Sequence, residues 1–290
     1  MHSIGLIGVG FIGSLLLEDL LDAGYEVTVY DVDEGQIERA RERGANAAES
    51  PAAVADGADA VFLAVPGAPE VEETFVGSNG LLESLESGQL VIDTTTTGPE
   101  TALRSERRCE DIDVGFLSSP LTRAAPREGL HLMVGGSEET VERASELLEC
   151  VSTDYVRIGD PGDAQRFKLA LQLRYACQQA VDAEIVEFCN DNDLEPELLV
   201  EFLGMDIPEK HFGSDFSQDI EGMGGLAIWH KDIGYAMEVA RENETATPLA
   251  SVVHEIYKAT VRVVEPDEGS ASTIVRYWRR LNGAEVVEGR

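Results

Sequence analysis

The chain has 290 residues, with 55 Asp and Glu against 22 Lys and Arg, for a formal net charge of -33. A nucleic-acid surface needs a basic face, so such partners are excluded from the reading. The acid is spread through every segment among 43% hydrophobic residues, which leaves enough apolar side chain for a core and argues against disorder.

At about 150 residues per domain, the length predicts two domains. No signal-peptide core stands at the start, and no apolar run reaches the roughly 18 residues of a membrane span, so a cytoplasmic protein without membrane contact is expected. The four cysteines, Cys109, Cys150, Cys177 and Cys189, show no CxxC spacing, and are read as reduced, mostly buried thiols with no metal. Lysine is scarce: 4 Lys against 18 Arg, with none before Lys168. High acid with little Lys is the composition expected of a protein from a halophile, since concentrated cations screen carboxylate repulsion. Arg replaces Lys as a surface charge but not in proton transfer, so the remaining Lys168, Lys210, Lys231 and Lys258 draw attention.

In chain order, Ser3 to Ile7 reads as a strand, followed by Gly8-Val9-Gly10-Phe11-Ile12-Gly13 and a helical pattern through Leu20. A second strand, Glu26 to Tyr30, ends in Asp31. Strand, GxGxxG, helix, strand and acid together are the dinucleotide-binding arrangement. Gly8 allows the tight turn, Gly10 lets backbone approach a pyrophosphate, and Gly13 lets helix and strand pack closely. Asp31 is expected to accept from the ribose hydroxyls. With Asp33 nearby and no Arg before Arg39, NAD is expected over NADP. Ala60 to Val65 then runs to Pro66. Leu90 to Ile92 leads into Asp93-Thr94-Thr95-Thr96-Thr97-Gly98-Pro99 and a helix from Glu100. Strand-end loops of this kind face the cofactor crevice, so Val65, Pro66 and Thr96 are assigned to it. Thr96 or Thr97 also suits a helix cap before the proline, and both roles are compatible. Val114 to Leu117, Leu130 to Val134 and Tyr155 to Ile158 supply further strands.

From Asp163 to about Asn190 no Gly or Pro interrupts, which predicts one long helix. Gln165, Lys168, Gln172, Tyr175 and Gln179 recur at steps of three or four and share one face. In so acidic a protein a solvated face would carry acids, so this one is expected to line an interior cleft. Further helices are expected from Pro196, from Ala227 to Glu242, and from Pro248 to Val264. The fold class is therefore an α/β Rossmann domain with a doubly wound, mostly parallel sheet over 1–161, and an all-helical domain over 162–290, joined by the long helix.

Four motifs in order make the chain similar to the β-hydroxyacid dehydrogenase family, which includes 3-hydroxyisobutyrate dehydrogenase and is related to 6-phosphogluconate dehydrogenase. They are the glycine loop at 8–13; Ser119-Pro120-Leu121-Thr122-Arg123-Ala124 with Gly129-Leu130 and Met133-Val134-Gly135-Gly136; Gly159-Asp160-Pro161-Gly162 followed by Lys168 and Gln172; and Lys231-Asp232-Ile233. The resemblance implies reversible oxidation of a small 3-hydroxy acid or its semialdehyde, with Lys168 as acid/base. Burial is then needed to bring that amine toward neutral pH. It further implies that Thr122 and adjacent backbone hold the anionic substrate, that Gln172 reaches the same substrate from one turn after Lys168, that Lys231 serves the cofactor, and that the protein is a homodimer or homotetramer. The substrate loop departs from the family's usual Ser-Gly-Gly, reading Thr122-Arg123-Ala124, and Leu171-Gln172 stands where Asn-Asn is usual. Arg123 suits either a bidentate anion clamp or a surface ion pair. Rival readings are a sulfolactaldehyde or tartronate semialdehyde reductase and a non-catalytic dinucleotide-binding regulator. The retained Lys168 argues against the regulator and against imine reductases. The absence of a His-Asn-Gly run after it argues against 6-phosphogluconate dehydrogenase itself.

Overall fold

A computed structural model describes residues 1–123, 129–207, 212, 226–262, 274, 278, 281 and 282. The strands are β1 Ser3–Ile7, β2 Glu26–Tyr30, β3 Asn46–Ala47, β4 Ala60–Leu63, β5 Leu90–Asp93, β6 Gly115–Ser118, β7 Leu121–Thr122, β8 His131–Gly135 and β9 Asp154–Gly159. The helices are α1 Phe11–Asp22, α2 Glu34–Glu42, α3 Pro51–Ala55, α4 Ala68–Val76, α5 Pro99–Glu110, α6 Glu138–Cys150, α7 Pro161–Asp191, α8 Glu197–Glu201, α9 Leu226–Glu242 and α10 Pro248–Val261. By packing, the chain falls into two compact units, Met1–Lys168 and Leu169–Arg290. The division lies inside α7 rather than at 161/162, because the first turns of that helix are hydrogen-bonded into the first unit.

The first unit is a Rossmann-like domain. Its sheet runs β3-β2-β1-β4-β5-β6-β8-β7, with β9 beside β8. Pairing is parallel throughout from β3 to β6, and antiparallel where β8 meets β6 and β7. Strand order reverses between β1 and β4, the switch point at which such sheets bind ligands. The central strands are apolar without alternation because both faces are covered. Phe62 packs with Leu6, Leu16 and Leu117 on one side, while Val61 and Leu63 pack with Ile7, Val71 and Phe75 on the other. Mostly parallel order follows from the βα alternation, and the short β7 folds back on β8 once the sequence reaches Pro120.

The second unit is helical. Ala176, Ala180 and Ala183 on α7 pack with Ile233 of α9 and with Val253 and Tyr257 of α10, so small residues on one helix accommodate bulky ones on the others. No helix of the described residues is long and apolar enough to cross a membrane. The four cysteines are free thiols, Cys109 and Cys189 buried and Cys150 and Cys177 half-buried.

His230 of α9 and His254 of α10 stack with ring centroids 5.2 Å apart and planes 2° apart. Burial first, and then the neighbouring His254 and Lys258, hold the His230 imidazole below its ordinary pKa, against a smaller opposite pull from Glu255. The unfolded chain therefore takes up this proton at higher pH than the folded one. The associated stability is present above about pH 6.5 and is lost as the pH falls through the lower folded value. Urea unfolding of the wild type is expected to lose more stability between neutral and acidic pH than that of His230→Phe. Equal pH slopes in the two proteins would remove His230 from this account.

Candidate functional site

The glycine loop joins β1 to α1. Gly8 has φ of +85° and an added Cβ would press on the Ala64 carbonyl, so only glycine fits the turn. An added Cβ at Gly13 would run into the Gly8 carbonyl, which fixes the close approach of helix and loop. Gly10 differs: its φ is -64° and an added Cβ would meet nothing within 4 Å. The fold itself therefore does not require glycine at this position, and the space beside its backbone is open. Val9 begins the turn, while Phe11 and Ile12 open α1, whose first turn carries no acid and whose N-terminus has no side-chain cap.

Asp31 sits at the end of β2, beside this loop. One carboxylate oxygen accepts from Val9 N at 2.8 Å and the other from Asp33 N at 2.9 Å. It thus shapes the loop. Asp33 caps α2 through Gly35 N at 2.8 Å. Val65 and Pro66 follow β4, and Val65 N donates to Thr95 Oγ1 at 3.3 Å. Thr96 lies between β5 and α5, half-buried. The expected threonine cap is not found: Gly98 is the capping residue and no side chain caps α5. Thr97 instead donates its N–H to Gln165 Oε1 and its hydroxyl to the Gly98 carbonyl.

Thr122 closes β7 and Arg123 follows it, exposed, with its guanidinium 5.4 Å from the centre of the Phe11 ring. Among the described residues no carboxylate lies within ion-pair distance of Arg123, so of its two readings the surface ion pair finds no partner among them. Ala124 lies outside the described residues, as do Lys210 and Val264.

Helix α7 starts with Pro161 in its first turn and a reciprocal cap: Asp163 N donates to Asp160 Oδ1 at 2.7 Å and Asp160 N to Asp163 Oδ2 at 3.4 Å. Of the predicted polar face, Gln165, Lys168 and Gln172 are buried (0%, 7% and 7% exposed), while Tyr175 and Gln179 are half-buried. Gln165 does not line an open cleft. Its amide is consumed by the first unit, donating to Thr95 O and Ser118 Oγ and accepting from Thr97 N, each at 2.9 Å. Lys168 comes one turn later and Gln172 one turn after that, on the same helix face.

In the second unit Gln172 Nε2 donates to Asp232 Oδ2 at 2.6 Å, and Lys231 Nζ lies 3.1 Å from Asp232 Oδ1 in an ion-pair contact. Lys231 also sits 5.4 Å over the Tyr235 ring. Asp232 is 1% exposed and joins the two predicted residues Gln172 and Lys231. Sequence reasoning assigned Asp232 no role, although it stands beside Lys231 in the quoted motif. Sequence reasoning likewise put Gln165 on the polar face without seeing it as a clamp. Among the described residues no His, Cys, Asp and Glu cluster could hold a metal ion.

Residues 3–159 match the family model described as the NAD binding domain of 6-phosphogluconate dehydrogenase. Residues 162–278 match the NAD-binding model of NADP-dependent 3-hydroxyisobutyrate dehydrogenase. The chain belongs to the β-hydroxyacid dehydrogenase family. It is similar to the mitochondrial 3-hydroxyisobutyrate dehydrogenase of Mus musculus, 30% identical over 88% of this chain and 81% of that protein. It is 26% identical to the 2-(hydroxymethyl)glutarate dehydrogenase of Eubacterium barkeri, over 99% and 98% of the two chains. It is 29% identical to the 3-sulfolactaldehyde reductase of Escherichia coli, over 89% of each. Among solved structures, the Mycobacterium tuberculosis 3-hydroxyisobutyrate dehydrogenase with L-serine shares the fold, with a TM-score of 0.81 at 22% identity over 96% and 99% of the two chains. As a member of this family the protein is an NAD(P)-binding oxidoreductase acting on hydroxyl or aldehyde substrates.

The glycine geometry separates folding from cofactor binding in this dehydrogenase. Gly10→Ala is expected to leave stability within about 0.5 kcal/mol of wild type while weakening dinucleotide affinity at least tenfold, as followed by calorimetric titration. Gly13→Ala, pressing on backbone, is expected to cost about 1–3 kcal/mol in urea unfolding. A Gly10→Ala protein that binds dinucleotide like wild type would contradict the assignment of that space.

Proposed function

We propose that this enzyme is an NAD-dependent β-hydroxyacid dehydrogenase for a small 3-hydroxy acid or its semialdehyde, with Lys168 as the acid/base. The observation that carries the reading is a buried lysine on α7, 7% exposed, one turn before a buried Gln172, in a chain with only four lysines. A bound nicotinamide dinucleotide supplies hydride transfer. The glycine loop and the start of α1 hold its phosphates through backbone N–H groups. Asp31 supports NAD over NADP, because a 2′-phosphate would meet the carboxylates of Asp31 and Asp33. Val65, Pro66 and Thr96 border the crevice, and Lys231 serves the cofactor from the helical unit. Thr122 and adjacent backbone amides grip the substrate's acid group, with Ala124 continuing that loop, and Gln172 orients its hydroxyl end. In oxidation Lys168 removes the hydroxyl proton, and in reduction it returns one to the aldehyde oxygen.

A second reading concerns the substrate's other end. Arg123 is exposed and unpaired by any described carboxylate, so it suits a second anionic group on the substrate, such as a sulfonate. The similarity to a 3-sulfolactaldehyde reductase supports testing this class.

We further propose a homodimer or homotetramer built through the helical unit. Support comes from exposed apolar side chains there: Val181, Phe188, Leu198, Phe202, Leu249 and Val252. The net charge of -33 supports adaptation to high intracellular salt in a cytoplasmic protein.

The test is a turnover screen in dilute buffer and in about 2 M KCl, a level that screens carboxylate repulsion. NAD and then NADP are offered with 3-hydroxyisobutyrate, glycerate, serine, sulfopropanediol and 6-phosphogluconate. NAD-linked oxidation of a small 3-hydroxy acid, stronger in KCl, is the expected result. Lys168→Ala is expected to lose about 10²–10⁴-fold in turnover. Retained turnover in that variant contradicts the acid/base role, and NADP preference contradicts the reading of Asp31.

A further inference from the structure

The ends of two strands in the first unit, β5 and β6, meet on one side chain. Gln165 is 0% exposed, and both ends of its amide are hydrogen-bonded. Nε2 donates to the Thr95 carbonyl beyond β5 and to Ser118 Oγ at the end of β6, and Oε1 accepts from Thr97 N, each at 2.9 Å. Thr95 passes the connection on. Its Oγ1 accepts from Val65 N beyond β4 at 3.3 Å, and its N–H donates to Asp93 Oδ1 at 2.9 Å. The Asp93 carbonyl accepts from Ser119 N at 2.6 Å, closing the circuit between β5 and β6. The other fastenings of the α7 start, Asp160, Asp163 and Arg166, are at the surface, with side chains 43% to 54% exposed. Gln165 is the buried one.

Lys168 lies three residues further on. In an α-helix that is about 300° of rotation and 4.5 Å of rise, which returns to the same face. The roll and height of the helix at Gln165 therefore set the direction and depth of the Lys168 side chain. A buried amide with three partners on a rigid sheet edge holds both, whereas an apolar residue of the same volume would hold neither. The same clamp also holds the loop after β5, where Thr96 stands, so cofactor loop and proton carrier share one anchor.

We propose that Gln165 is a positioning residue for the proton transfer, registering Lys168 against the carboxyl ends of β4, β5 and β6. The proposal rests on the reading of Lys168 as the acid/base. Misplacement of a reacting group by about 1 Å costs on the order of 10²-fold in rate, so the effect falls on turnover before it falls on binding.

The experiment compares wild type, Gln165→Met, Gln165→Glu, Ser118→Ala and Lys168→Ala. It measures kcat, KM, dinucleotide affinity by titration, and the pH profile of kcat/KM for oxidation. Gln165→Met keeps the volume and removes all three hydrogen bonds. It is expected to lower kcat about 10–100-fold, with a smaller change in dinucleotide affinity. The rising limb of its pH profile is expected to move to higher pH, because a less well seated, better hydrated amine keeps its proton longer. Gln165→Glu retains an acceptor for Thr97 N–H but opposes the Thr95 carbonyl, and Ser118→Ala removes one bond. Both are expected to show the same shift on a smaller scale, and they carry the test if Gln165→Met fails to fold. Profiles identical to wild type in the folded variants, with activity lost only in proportion to unfolded protein, would overturn the positioning role. An active Lys168→Ala would instead overturn the underlying reading, whatever Gln165 does. An inactive Lys168→Ala with unmoved Gln165 and Ser118 profiles would sink the inference alone.

Discussion

The anchoring of α7 to the sheet is the constraint on which the remaining geometry depends. One continuous helix carries Gln165, Lys168 and Gln172, and it begins where β9 ends. Its start is fixed by the Asp160–Asp163 cap outside and by the Gln165 amide inside. A polar side chain this deep is stable only because every group it presents is satisfied, and removing one partner would leave the others buried without one. The same requirement makes the contact directional. It specifies one seating of the helix, where apolar packing alone would accept several.

The second polar contact of this kind is in the helical unit. Asp232 takes a hydrogen bond from Gln172 and an ionic contact from Lys231, at 1% exposure. A buried carboxylate is costly unless paired, so the cation beside it and the amide in front of it are needed together. Helix α7 therefore contributes a glutamine to a buried polar cluster in each unit, Gln165 in the first and Gln172 in the second.

Much of this was legible in the sequence because it rests on local rules. The glycine spacing at 8, 10 and 13 is dictated by turn geometry and backbone clearance, and the acid at 31 by the end of the second strand. The unbroken stretch after Pro161 could only be a long helix. Four features were not legible. Helix α3, at five residues, is too short to show a helical period, and α2 has few apolar residues among its charges. The cap of α5 was misassigned, because tertiary contact with Gln165 recruits Thr97 away from the helix end. The hydrogen bonds of Gln165 and of Gln172 with Asp232 join residues 47 to 70 apart in sequence, beyond the reach of spacing arguments. Arg123 had two readings in the sequence, and the geometry adds a third neighbour, the Phe11 ring.

The most direct test of the account is a crystal structure with the oxidised dinucleotide and a hydroxy acid bound together. The account predicts Lys168 Nζ within hydrogen-bond reach of the substrate hydroxyl oxygen, about 3 Å, with the Gln165 bonds to Thr95, Thr97 and Ser118 intact. A substrate oxygen met by some other group, with the Lys168 amine turned away from it, would contradict the central claim.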